Sequence, residues 1–323
     1  MDDPSDAGDQ SFVVALHTID VGFSDAGTSR LGYDLDKVWT GCNGGGPDGS
    51  VGPESCKAAM VGSTHPDDNG GRDDYAVKLL LALAQFDPSQ FNATTVSQRL
   101  ENGTYSVLLQ ILHYNGTPND TSVSVGLYAS NGVESDAGAK WNGQDSWTID
   151  DAFVVNDAGP ILPTHFDANA YVSGGTLVMH VNFPLSLGSS STGGFTIALA
   201  AGLITAQVVP AGQGTYAFTG GQIAGRWKVG DMLGAFQDIT VSGATLCPGS
   251  SYYNLLKGQA CGYADIMTDP TQDFTGQTCD GLSLGIGFTA DPALLGSIVP
   301  TPLKFSNCYP EGGAPDAEDS CGK

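Results

Sequence analysis

From Thr104 to Val209 the chain repeats one device: apolar residues at alternate positions, a turn rich in glycine and asparagine, then the same again. "TYSVLLQILHY" (104–114) lies between Asn102-Gly103 and Asn115-Gly116, and "TSVSVGLYAS" (121–130) sets Val123, Val125 and Leu127 against Ser122, Ser124 and Gly126. A period of two sends successive side chains to opposite faces of a strand, and "NGTPND" (115–120) reads as the loop of a hairpin. "SFVVALHTIDVGF" (11–23) enters the pattern, and "GTLVMHVNFPL" (175–185), "GGFTIALAAGLITAQVV" (193–209) and "GTYAFTGGQIAG" (214–225) continue it. Strands that follow one another without helices between them pair antiparallel. The expected fold is mainly β, an antiparallel sandwich of jelly-roll or concanavalin-like form with a few short helices.

The period changes over about 73–101. Asp73 or Asp74 stands where an N-cap belongs, Pro88 stands past the end, and Ala76, Val77, Leu79, Leu80, Leu81, Leu83 and Phe86 surround the axis, which predicts a buried helix. A second short helix is expected over 94–101, and "RWKVGDMLGAF" (226–236) reads as a helix crossing a sheet edge. The organisation is a single β-rich domain over 11–308, with an acidic leader or tether at 1–10 and an acidic tail at 309–323. The part from about 245 to 308 is rich in cysteine and reads as short helices and loops.

None of the seven cysteines forms a CxxC pair, which excludes a zinc ribbon and a thioredoxin-type redox motif. Cys42, Cys56, Cys247, Cys261, Cys279 and Cys308 are expected in structural disulfides made in an oxidising compartment. Closeness along the chain favours Cys42–Cys56, Cys247–Cys261 and Cys279–Cys308, with Cys321 left over. The longest apolar stretch, 76–86, is too short to span a bilayer and contains Lys78, so no transmembrane segment is expected. With 35 acidic residues against 12 basic ones, the net charge of −23 repels phosphate backbones and argues against a nucleic-acid partner. "MDDPSDAGDQ" has no basic or apolar signal region. The chain therefore reads as a mature exported protein, extracellular or on the outer cell surface, with a lipid tether in its precursor.

"GYDLDKVWTGC", "GGRDDYAVKLL" and "NGTYSVLLQILHYNGTPNDTSVSV", followed by "GGQIAGRWKVGDML", "LC…YYNLLKGQAC…DIM" and "CDGLSLGIGFTA", occur here in that order. Together they resemble a family of uncharacterised secreted proteins and lipoproteins of myxobacteria. The likeness covers most of 32–308 and departs at "GGRDDYA", where related chains more often have a hydrophobic residue, Asp, Asn and Ala after the two glycines. The resemblance implies export and a surface address. It implies no activity.

Two stretches carry candidate sites. In "STHPDDNGGRDD" (63–74), Asp67, Asn69 and Asp73 alternate like the start of a calcium loop, and Asp34 and Asp36 in "YDLDK" supply a second acidic pair. The glycine and closing glutamate of an EF-hand are not in place. A turn and a helix cap explain the same residues without an ion, so calcium ranks second to that reading. In "WNGQDSW" (141–147), Trp141, Asn142, Asp145 and Trp147 are the residue types that stack on sugar rings and bind hydroxyls, although tryptophans in a β-rich fold also serve as core.

Other patterns fail on their own terms. "GLSLG" (281–285) matches a nucleophile elbow around Ser283, but no histidine follows it. The five histidines form no zinc motif, and "GQGTYA" and "GIGFTA" lack the β-α-β setting of a dinucleotide site. The expected function is a non-catalytic surface binding or adhesion module, possible calcium included, with a glycan or other cell-surface component as its partner. An extracellular polysaccharide hydrolase using two carboxylates and a structural envelope protein are the alternatives.

Overall fold

The computed structural model describes residues 8, 10–24, 27–28, 31–41, 52–60, 63–68, 70–86, 93–155, 161–187, 195–212, 214–241, 244–301, 308 and 319–321. Its strands are β1 (Gln10–Asp20), β2 (Phe23–Ser24), β3 (Gly27–Thr28), β4 (Ser106–Tyr114), β5 (Asp120–Ser130), β6 (Ser146–Asp150), β7 (His165–Ser173), β8 (Thr176–Leu187), β9 (Phe195–Gly212), β10 (Thr215–Lys228), β11 (Thr240–Val241), β12 (Ala244–Thr245) and β13 (Gly281–Val299). The α-helices are α1 (Ala76–Phe86), α2 (Ala93–Glu101), α3 (Val229–Phe236) and α4 (Ser251–Tyr263).

The sandwich expectation is wrong. Strands β1, β4, β5, β7, β8, β9, β10 and β13 pair in that order, all antiparallel, and β13 returns to pair with β1, closing an eight-stranded barrel. Val13 faces Ala293 and Ile19 faces Phe288 across the closing seam. Closure removes the edges that a two-sheet sandwich keeps. An eight-stranded barrel is just wide enough for side chains to fill. Here Val14, Leu16, Leu109, Val125, Met179, Ile204, Ile223, Leu284 and Ile286, all buried, belong to one continuous apolar core. The period-two pattern is common to sandwich and barrel, because each strand buries one face in both.

Local signals place the elements as expected at several points. In the β4–β5 loop, the Asp120 carboxylate accepts the N–H of Asn115, and the Asn115 side chain accepts that of Thr117. Gly116 takes the positive φ (78°) that the turn needs. Helix α1 buries Ala76, Val77, Leu79, Leu80 and Leu83, and α2 packs against β1. The segment 226–228 corrects the helix expected from Arg226: it is the end of β10, and α3 begins at Val229.

The largest departure is β13. What reads as short helices and loops contains a strand of 19 residues. Its first half pairs with β10, its middle with β1, and its last residues run parallel to β6. Leu282, Leu284, Ile286 and Phe288 join the main core, while Ser283, Gly285 and Gly287 occupy the other face. A Cβ at Gly285 would lie 2.4 Å from the backbone N of Gly32, so glycine is needed for a loop to lie against the barrel wall.

Among the described residues the four α-helices belong to the connections β1–β4 and β10–β13, which antiparallel pairing places at the same end of the barrel. The disulfides join the segments around these helices: Cys56–Cys279, Cys247–Cys308 and Cys261–Cys321. Every expected pairing is therefore corrected. Cys321, expected to be left over, is bonded, and Cys42 lies outside the described residues. Nearness in sequence misleads because bonds here link segments 60 to 223 positions apart. The bonds mark an oxidising compartment. Among the described residues no helix is long and apolar enough to cross a membrane.

Candidate functional site

The outer wall of β10 and β13 carries Arg226 opposite Ser283 in register. Segments 31–41, 63–68 and 70–75 lie over this wall, and Asp265 and Asp273 approach it from the segment after α4. Arg226 is almost fully buried and holds the Asp273 carboxylate with both guanidinium ends, at 2.8 and 2.7 Å. It also donates to the carbonyls of Met267 and Leu35. One side chain thus fixes both the C-terminal segment and the loop that contains Asp34 and Asp36.

Above this clamp the acids converge. Asp34, Asp36 and Asp73 each place a carboxylate oxygen within 4.8 Å of the others, Asp34 being exposed and the other two buried. Backbone N–H groups set their orientations. Asp73 Oδ2 accepts from Leu35 at 2.7 Å, Asp36 Oδ1 from Val38 at 3.0 Å, and Asp67 Oδ2 from Thr40 at 2.6 Å. Asp67 also hydrogen-bonds to Asp73. Gly32, at φ 89°, lies so close that a Cβ would approach the Asp73 carbonyl to 2.8 Å.

The structure therefore brings Asp34, Asp36, Asp67 and Asp73 together, while Asn69 lies outside the described residues. Much of the turn-and-cap reading also holds. Asp68 and Arg72 pair through their backbones around Gly70 and Gly71, and Asp74 accepts the Val77 N–H at the start of α1.

Electrostatics separate this cluster from ordinary surface acid. Burial pushes the Asp73 carboxyl far above the usual range, and repulsion from Asp36, Asp265 and Asp67 adds to it. Burial also raises Asp36 and Asp67, and pushes Asp265 up to about 6 against hydrogen bonds from Ser283. Asp74 is raised by burial too. Arg226 is engaged by Asp273, and Lys78 sits 3.6 Å over the Tyr75 ring with its pKa lowered by burial.

Sequence reasoning missed Asp265, Asp273 and Arg226 as members of this site. Only the closing of the barrel brings residues 226, 265 and 273 under residues 34–36. Ser283 is fully buried within β13, donates to Asp265 at 2.5 Å and accepts the Tyr75 N–H. That is a structural position, in agreement with rejecting the nucleophile elbow.

The tryptophan pair divides. Trp147 is fully buried with Ala15, Leu108, Tyr128, Ile149 and Phe153 in a second core between the barrel wall and β6, so it is no ligand contact. Asp145 is buried as well, its carboxylate holding the N–H groups of Lys140 and Trp141 at 3.0 and 2.6 Å. It shapes the loop rather than meeting a ligand. Trp141 is half-buried and Asn142 exposed, and both border a groove of about 650 Å³ with Gln144, Thr215, Asp291 and Pro292. Compared with models of known protein families, with curated proteins and with solved structures, the chain matches none of them.

Proposed function

We propose that the chain is an exported, non-catalytic binding module whose loop layer is fixed by a divalent cation, calcium by its donor chemistry. The convergence of Asp34, Asp36 and Asp73, with Asp67 beside them, carries this reading. The donors are hard carboxylate oxygens, which suit calcium and not the softer transition metals. One oxygen of each of Asp36, Asp67 and Asp73 is fixed by a backbone N–H. That is the second layer of bonds that orients metal ligands. Exposed Asp34 gives a path from solvent, and backbone carbonyls and water would complete the six to eight ligands that calcium takes. A cation there would offset the repulsion that Asp36, Asp67 and Asp265 exert on Asp73.

Three disulfides and a strongly acidic chain support an extracellular address. Asp36, Asp73 and Asp74 are buried, and the oxygens of Asp34, Asp36 and Asp73 lie within 4.8 Å of one another, closer than the carboxyl pairs of glycosidases, which favours a structural ion over polysaccharide hydrolysis. Thermal unfolding in excess EDTA against added calcium, at fixed ionic strength, tests the reading. A hundredfold excess over the dissociation constant should stabilise the fold by about 2.7 kcal/mol. Asp34→Asn with Asp36→Asn should abolish the response. An unchanged midpoint in the parent chain would refute the cation.

A further inference from the structure

Resting on the binding-module reading, we propose that the groove between the Trp141 loop, the β9–β10 hairpin and β13 binds a neutral oligosaccharide. Its volume of about 650 Å³ falls within the roughly 300–1,000 Å³ of small-molecule sites. Trp141 and Pro292 give it apolar surface, while Asn142, Gln144, Thr215 and Asp291 give amide, hydroxyl and carboxylate groups. A sugar ring has the complementary make-up, with C–H faces for the apolar residues and hydroxyls for the polar ones.

Trp141 is held ready. Its backbone takes φ 54°, a left-handed conformation that a bulky residue adopts at some cost. The Asp145 carboxylate clamps its N–H, and its indole N–H donates to the Glu101 carbonyl at 2.8 Å. The ring stacks on His17 with centroids 3.9 Å apart and packs against Trp147 at 5.2 Å. An aromatic side chain restrained this way, yet half-exposed, loses little freedom when a ligand arrives. Strain kept at such a residue fits a contact surface better than a loop that only has to turn.

Charge selects among sugars. Asp291 is paired with His17 at 2.6 Å, and among the described residues the groove lining has no lysine or arginine to receive a uronate or sulfate. The net charge of −23 adds long-range repulsion of polyanions. Neutral saccharides meet neither obstacle.

The test is calorimetric titration of the full, disulfide-bonded chain with neutral gluco-, xylo-, manno- and N-acetylglucosamine oligosaccharides, with oligogalacturonate as the anionic probe. We expect saturable binding of a neutral oligosaccharide, accompanied by a change in tryptophan fluorescence. Asn142→Ala with Gln144→Ala should weaken it at least tenfold without lowering the melting temperature, and Asp291→Asn should weaken it too. No binding of any neutral oligosaccharide, a preference for oligogalacturonate, or unchanged affinity in the groove variants would each overturn the proposal. None of the groove residues belongs to the acidic cluster. A chain that calcium stabilises but that ignores these sugars would overturn the groove alone, and a sugar-binding chain indifferent to calcium would overturn the cation alone.

Discussion

Replacing Asp73 by Asn should weaken an unusual dependence of stability on pH. In the unfolded chain these carboxyls titrate near 3.8, whereas folding raises Asp265 to about 6 and Asp73 further. Between the unfolded and folded values the folded state keeps a proton that the unfolded state has released. The stabilisation is therefore full below about pH 4 and is lost as pH rises through the folded value. Each such group changes stability by about 1.4 kcal/mol per pH unit. For Asp265, which is partly exposed, this amounts to a loss of at most about 3 kcal/mol, complete just above pH 6, and Asp73 continues the decline beyond it.

The assay is urea unfolding in EDTA from pH 4.5 to 8 at constant ionic strength. The parent chain should lose stability across that range. In Asp73→Asn the amide oxygen can still accept from Leu35 while the charge is gone, so the slope should fall by one proton's worth and the chelated variant should be the more stable at pH 8. Calcium should stabilise the parent more at pH 8 than at pH 5, because a cation must displace the protons to bind. Stability that rises from pH 4.5 to 7 in the chelated parent, or a slope that the substitution leaves undiminished, would refute the reasoning.

Two further substitutions test the packing. Trp147→Ala should cost about 3–5 kcal/mol in chemical unfolding, because it empties the core under β6, and loss of fold stability rather than of ligand affinity should be its main effect. Asp273→Ala should destabilise by about 3–5 kcal/mol by leaving the Arg226 guanidinium buried without its carboxylate, and Arg226→Met in the same chain should recover part of that in the same assay.

The strands that alternate apolar with polar residues are legible in the sequence, as are the hairpin at 115–120 and the buried helix α1. The barrel is not, because its closure is a pairing of Val13 with Ala293 that no local pattern records. Strand β13 hides for a different reason. Its outward positions are Ser283, Gly285 and Gly287, so the alternation is apolar with glycine, and glycine reads as a turn. The acidic site is legible in halves: Asp34 with Asp36, and Asp67 with Asp73, each look like surface acid alone. Nothing near Asp265 in the sequence connects it with them. Trp147 and Asp145 show the opposite error, since residue types suited to a ligand are equally suited to a core and to a loop clamp.

Pairing between the first and last barrel strands also sets a timetable. The ring cannot shut until residues 287–293 are available to β1, so almost the whole chain must emerge before its defining contacts form. Contacts so distant in sequence make folding slow. A chain threaded outward through a narrow pore would stay extensible until its final barrel strand arrived, and the three disulfides, each needing Cys279, Cys308 or Cys321, would close as late.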